Sequence, residues 1–219
     1  MSLFRLDASI RTEGSHSRAL GDVVERAWRA EHPHAEVVRR HLGTEPIPAT
    51  AWADAVHGSG LPEAERTPAQ REAVALAARL VDELVEAEAL LFAVPLYNFG
   101  PSQHFKAWVD LVITDPRMAP GVTPPTAGKP AVLATVQGGN YSQGTPREGW
   151  DHATAWMLRI LQDVWQLDTQ VVSRQFTLVG VNPALDQFQQ IADDLRTAAE
   201  EQAHAHGQGL ADRLRKRAA

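Results

Sequence analysis

The chain reads as an α/β fold: a doubly wound, parallel five-stranded sheet in the order 2-1-3-4-5, with helices on both faces. Three observations predict it. Short apolar or alternating runs take turns with segments whose apolar residues recur at helical spacing, giving β-α-β-α-β-α-β-α-β-α. The run Leu90-Leu91-Phe92-Ala93-Val94 is apolar without a break, as a strand buried on both faces requires. The 219 residues, 44% hydrophobic, contain no repeat, low-complexity tract or linker. They are read as a single domain over residues 1–219, large enough for a sizeable core.

Residues 3–8 alternate apolar and polar and form the first strand, followed by a polar loop over 9–17. Leu20, Val23, Val24, Ala27 and Trp28 then share one helical face. Residues 35–42 give a second strand with weaker alternation. The stretch 43–66, rich in Pro, Gly, Ala and acid, is a connection with a short helix around 52–56. Thr67-Pro68-Ala69-Gln70 is a strong helix start, with Thr as N-cap, Pro at N1 and Gln at N3. That helix runs to about residue 86, with Val74, Ala77, Ala78, Val81, Leu84 and Val85 inward. The third strand is the apolar run, which Pro95 should end because it cannot donate to a central ladder. Ser102 caps a helix to about residue 113. Residues 115–130, rich in proline, form an irregular loop of a length that is often a lid. Residues 131–136 make the fourth strand, 137–144 a flexible loop, 150–165 a helix, 168–177 the fifth strand, and 184–217 a final helix with a solvated basic end.

Composition excludes several classes of function. A net charge of −6 and a pI near 5.8 argue against a nucleic-acid or anionic-membrane partner, which needs a basic patch. With no cysteine there is no thiolate catalysis, disulfide or cysteine metal site. No apolar run approaches the ~20 residues of a membrane span, and the N-terminus has no signal-peptide core, so the expectation is a cytoplasmic protein. The pairs His32/His34 and His204/His206 stand two apart and face different sides of a helix, so no metal site is expected. Neither Gly-x-x-x-x-Gly-Lys nor a Gly-x-Gly-x-x-Gly after a strand occurs, which disfavours an NTPase or a dinucleotide-binding domain.

Three loops carry the chemistry. Ser9, Ser15, His16 and Ser17 lie before the first helix, where hydroxyls and free N–H groups make an anion site. Leu96-Tyr97-Asn98-Phe99 forms a tip able to present amides and ring faces to a flat ligand. Val136-Gln137-Gly138-Gly139 lets backbone approach a ligand closely. Taken singly, each has a plainer reading: an N-cap, a turn with two packed aromatics, an ordinary strand-to-helix turn. Together they follow strands one, three and four at their carboxyl ends, beside the switch point of the sheet, and describe an FMN site.

The chain resembles the FMN-dependent NAD(P)H azoreductase and quinone reductase family, which has a flavodoxin-like fold. Pro95-Leu96-Tyr97-Asn98-Phe99 and the helix Lys106-Ala107-Trp108-Val109-Asp110-Leu111-Val112 match the family's Pro-Met-Tyr-Asn-Phe and its following helix. Ser9 and Ser15-His16-Ser17 are similar to its Ser and Ser-Gln-Ser phosphate loop. Val136-Gln137-Gly138-Gly139 is similar to its Ser-Arg-Gly-Gly loop, with Gln in place of the charged Arg. The proline-rich residues 115–125 depart from the family's longer segment and lack the aromatic that covers the flavin.

The resemblance implies FMN bound by Ser9, Ser15, His16, Ser17, Leu96, Tyr97, Asn98, Phe99, Val136, Gln137, Gly138 and Gly139. It also implies NADH or NADPH as donor and a quinone, azo compound or similar flat acceptor, served in turn at one flavin face. Tyr97, Asn98 and Tyr141 are candidates for substrate contact. A homodimer with the site at the subunit interface, burying surface tryptophans, is implied as well. Two alternatives stand beside this: a flavodoxin-like electron carrier without its own nicotinamide turnover, and a non-flavin protein that kept the fold.

Overall fold

The computed structural model describes residues 1–218. Its parallel strands are β1 (Ser2–Asp7), β2 (Glu36–His41), β3 (Ala89–Tyr97), β5 (Pro130–Val136) and β6 (Asp168–Arg174), in the order β2-β1-β3-β5-β6. A two-residue β4 (Gly100–Pro101) folds back antiparallel on the end of β3. Counted without β4, the order is the 2-1-3-4-5 expected. The helices are α1 (His16–Glu31), α2 (Ala51–Ser59), α3 (Pro68–Glu86), α4 (Gln103–Val112), α5 (Thr154–Leu158) and α6 (Gln189–Ala218).

Period-two alternation sorts β3 between two cores. Leu90, Phe92 and Val94 face α3, α4 and the segment carrying Met157 and Trp165. Ala89 and Leu91 face α1 and α6, through Leu20, Val24, Trp28, Ala203 and Leu210. On that face Gly207 of α6 lies so close to α1 that a Cβ there would collide with the Val24 carbonyl oxygen. The N-terminus of α3 is the capping box expected, with Thr67 Oγ1 accepting from Gln70 N and the Gln70 side chain accepting from Thr67 N.

Three boundaries differ from expectation. β3 runs through Pro95 to Tyr97 rather than stopping at the proline. Ala8 N donates to the Ala93 carbonyl, so the Ala8 carbonyl faces residue 95, which has no N–H to give. The buried Ser102 hydroxyl donates to that carbonyl instead, at 2.8 Å, while accepting from Phe105 N to cap α4. β6 ends at Arg174, short of residue 177. The helix expected over 150–165 begins only at Thr154 and widens into a π-helical stretch over Arg159–Val164. Residues 115–130 form turns pinned by buried Met118 and Thr126, whose hydroxyl donates to the Trp165 carbonyl. No residue of that segment reaches the cavity described below. At the C-terminal end, Arg213 pairs with Asp168, and Arg215 with Glu31 and Asp212. The side chains of Lys216 and Arg217 lie outside what is described. No helix among the described residues is long and apolar enough to cross a membrane.

Candidate functional site

Three segments meet at the carboxyl ends of β1, β3 and β5. In the first, Ser15 is the N-cap of α1, its hydroxyl accepting from Arg18 N at 3.3 Å. The first N–H groups of a helix have no intrahelical acceptor. With Arg18 taken, the N–H groups of His16 and Ser17 remain directed out of the helix end. The Ser17 hydroxyl, buried, lies 3.3 Å from that of Ser15. Ser9, also buried, accepts from Arg11 N and lies 3.1 Å from the Tyr97 hydroxyl, which ties the first loop to the tip of β3. Burial first, then Arg174 and Arg11, hold the His16 imidazole below its ordinary pKa, so it is neutral at pH 7. Arg174, at the end of β6, buries its Nε without a hydrogen-bond partner among the described residues.

The second segment is the tip. Asn98 and Phe99 both have positive φ, 48° and 69°, which turns β3 back onto itself through Gly100-Pro101. Asn tolerates this region and Phe does not, so the turn stores strain of roughly 1–3 kcal/mol at Phe99. The Phe99 carbonyl accepts from His152 N at 2.9 Å, and its ring meets Trp150 edge-on at 5.4 Å. Both rings are largely exposed.

In the third segment, the carbonyls of Gln137, Gly138 and Gly139 accept from the N–H groups of Thr177, Leu178 and Phe176. The N–H groups of Gly138 and Gly139 have no acceptor among the described residues. At both positions the bare backbone lets a flexible side chain come close. A Cβ on Gly138 would sit 2.8 Å from Leu178 Cδ1, and one on Gly139 2.7 Å from Arg147 Nη1.

These segments enclose a cavity of about 290 Å³. Of the residues the sequence singled out, Ser9, Ser15, His16, Ser17, Leu96, Tyr97, Asn98, Phe99, Val136 and Gly138 line it. Gln137 and Gly139 do not. The Gln137 side chain is buried the other way, its Nε2 donating to Asp151 Oδ2 at 2.6 Å. Asp151 in turn caps α5, accepting from Ala153 N and Thr154 N. Gln137 therefore holds the 137–153 segment in place and presents only backbone near the cavity. Tyr141 lines the cavity as a substrate-contact candidate should. Sequence reasoning missed Arg11, Arg147, Thr177 and Leu178, all of which line it too. Through Tyr97 and Asn98 the cavity opens into a groove of about 790 Å³ lined by Ile10, Lys106, His152 and Trp156. No cluster of His, Asp and Glu among the described residues is placed to hold a metal ion.

What such a site can do is bind an anion at one end and a flat, acceptor-rich ring at the other. The comparisons with known proteins agree with that chemistry. A family model described as a flavodoxin-like fold matches residues 1–204. An FMN-dependent NADH:quinone oxidoreductase of Frankia alni is 39% identical over 202 residues, covering 91% of this chain and 95% of that protein. The crystal structure of an azoreductase from Bacillus anthracis superposes with a TM-score of 0.78 at 20% identity, over 95% of this chain and 99% of the other. A second structure from that organism, an FMN-dependent NADH-azoreductase in complex with FMN, superposes at 0.67 with 15% identity, over 93% and 100%. On its length, its sheet order and these likenesses, the chain belongs to the family of FMN-dependent NADH:quinone oxidoreductases with a flavodoxin-like fold.

Proposed function

We propose that the protein binds FMN in this cavity and uses NADH to reduce quinones, azo compounds or related flat acceptors by two electrons. The observation that carries the reading is the meeting of three loops at one rim. Hydroxyls and free N–H groups stand at a helix N-terminus, an aromatic tip faces them, and a glycine loop between them has its carbonyls used and its N–H groups unused. The donor set fits the cofactor. A phosphate dianion matches the N–H groups of His16 and Ser17, the hydroxyls of Ser15 and Ser17, and the positive field of Arg11 and Arg174. The N–H groups of Gly138 and Gly139 match the carbonyl edge of the ring. The cavity is small for a whole cofactor, and the Leu178 and Arg147 side chains that crowd the glycines are the groups that must give way.

FMN, when bound, supplies the relay that takes two electrons from a nicotinamide and hands them to an acceptor. The protein's part is placement. Ser15, Ser17 and the end of α1 would hold the tail; Leu96 to Phe99 and the backbone of Val136 to Gly139 would hold the ring. The groove beside Tyr97 and Asn98 leaves room for one flat partner at a time, with Ile10 and Trp156 as its apolar walls. Donor and acceptor then use the same space in turn, which gives ping-pong kinetics.

The reading extends to the assembly and its compartment. Trp150 is 50% exposed and Trp52 53%, and Phe99 stands beside Trp150 at the cavity mouth. Aromatic surface of this kind is characteristic of interface cores, and it supports a homodimer with the site at the subunit boundary. One domain of residues 1–219 per subunit belongs to the same reading. The cytoplasm, where reduced nicotinamide is available, is the compartment that fits this reading.

Anaerobic mixing of the FMN-loaded protein with NADH tests the function. Rapid loss of the flavin absorbance, restored by a quinone, is the expected result. A stably bound flavin that neither NADH nor NADPH bleaches identifies an electron carrier instead. Failure to bind FMN removes the proposal altogether.

A further inference from the structure

Among the described residues, Arg147 is the one cavity-lining cation that lies against the glycine loop. Its Nη1 stands 2.7 Å from where a Gly139 Cβ would be, and its guanidinium lies 6.0 Å over the Tyr141 ring. No carboxylate pairs with it among the described residues: Glu148, its neighbour, accepts from Gly144 N instead. The side chain at 137 is a glutamine tied down to Asp151. The loop is thus neutral by its own sequence, and a guanidinium ten residues downstream is laid back onto it. Beside that guanidinium the N–H groups of Gly138 and Gly139 are without acceptors, so donors and positive charge converge on one point of the cavity wall.

We infer that Arg147 is a cofactor-contacting residue that supplies, from outside the glycine loop, the positive charge stabilising the reduced ring at its carbonyl edge. The inference rests on the proposed FMN site. Reduction adds negative charge to the pyrimidine end of the flavin. A cation at that end binds the reduced form more tightly than the oxidised form and raises the midpoint potential. Arg147 is exposed at the rim, so solvent screens it and the effect is moderate rather than dominant. Its exposure also leaves it free to settle on the ring after entry.

The test compares R147Q and R147K with the parent protein, each loaded with FMN. The readouts are the dissociation constant of oxidised FMN and the midpoint potential of the bound cofactor. R147Q is expected to hold oxidised FMN within about threefold of the parent. It should bind the reduced form about tenfold more weakly, a fall of about 30 mV in a two-electron potential. R147K, which keeps the charge and loses the fork, should recover more than half of that fall, and added salt should shrink the gap between parent and R147Q. An unchanged potential in R147Q overturns the inference, as does an equal fall in R147K, since that would make Arg147 a packing group over Gly139. Should the parent itself fail to bind FMN, the cofactor site is at fault rather than the role of Arg147.

Discussion

Replacing Ser17 with alanine should separate cofactor binding from folding. Ser17 sits one position inside α1, buried, with its hydroxyl 3.3 Å from that of Ser15. It is not the cap: Ser15 accepts from Arg18 N, and S17A leaves that bond in place. A hydroxyl donating to a charged acceptor contributes about 1.5–3 kcal/mol, so losing it should weaken FMN binding about tenfold to 150-fold. The melting temperature of the apo protein should stay within about 1 °C, because alanine is the better helix former and the Ser15 hydroxyl, which loses its contact with Ser17, keeps its bond from Arg18 N. S15A should lose affinity as well, and in addition about 1 kcal/mol of stability from the missing cap, or about 2–4 °C for a chain of this size. Titration of apo protein by flavin fluorescence quenching, beside thermal melts of both variants, reads the two effects apart. FMN affinity equal to the parent in S17A would refute the assignment of this loop to the phosphate.

Further outcomes follow from the same structure. Glu25 is buried and pairs with Arg5, Arg29 and Arg39, so E25A strands the buried Arg5 with only Asp7 and Asp22. It should cost about 3 kcal/mol, read as a lower urea midpoint. G207A drives a methyl into the Val24 carbonyl and Ala27 and should destabilise by about 1–3 kcal/mol through α1 against α6, with FMN affinity unchanged. Burial chiefly lowers the pKa of both His16 and His206 from the ordinary 6.5. Between the folded and unfolded values the unfolded chain therefore binds more protons. Stability from these groups is full above pH 6.5 and is lost as the pH falls below it. Melts of the apo protein at pH 7.5 and 5.5 should show that loss, smaller in the H16N/H206N double variant. L178A removes the side chain crowding Gly138 and should speed FMN association in stopped-flow fluorescence.

The parts of the site that have a repeating physical signature could be read from the chain. An unbroken apolar run means a strand with two covered faces, a serine before a helical period means a cap, and paired glycines after a strand mean close approach. Arg11, Arg147, Thr177 and Leu178 have no such signature. All four sit in irregular segments. Thr177 and Leu178 reach the cavity because the carbonyls of Gln137, Gly138 and Gly139 bond residues 176–178 and Phe176 adopts a φ of 58°; Arg11 follows Ser9, whose hydroxyl accepts from its N–H, and Arg147 folds back over Tyr141 onto Gly139. Those are long-range facts. Gln137 shows the reverse case: its sequence position puts it in the glycine loop, but the Asp151 carboxylate, fourteen residues away, decides that its side chain turns inward. Pro95 reads as a stop because a proline forfeits one ladder bond. Ser102 replaces that bond, and nothing in the local pattern around Pro95 announces it.

A crystal structure of the protein with FMN is the most direct measurement. The account predicts the phosphate on the end of α1 between Ser15 and Ser17, and the ring between Leu96 to Phe99 and Gly138-Gly139 with the Leu178 side chain displaced. FMN seated elsewhere, or a cavity still filled by Leu178 under saturating FMN, would contradict it.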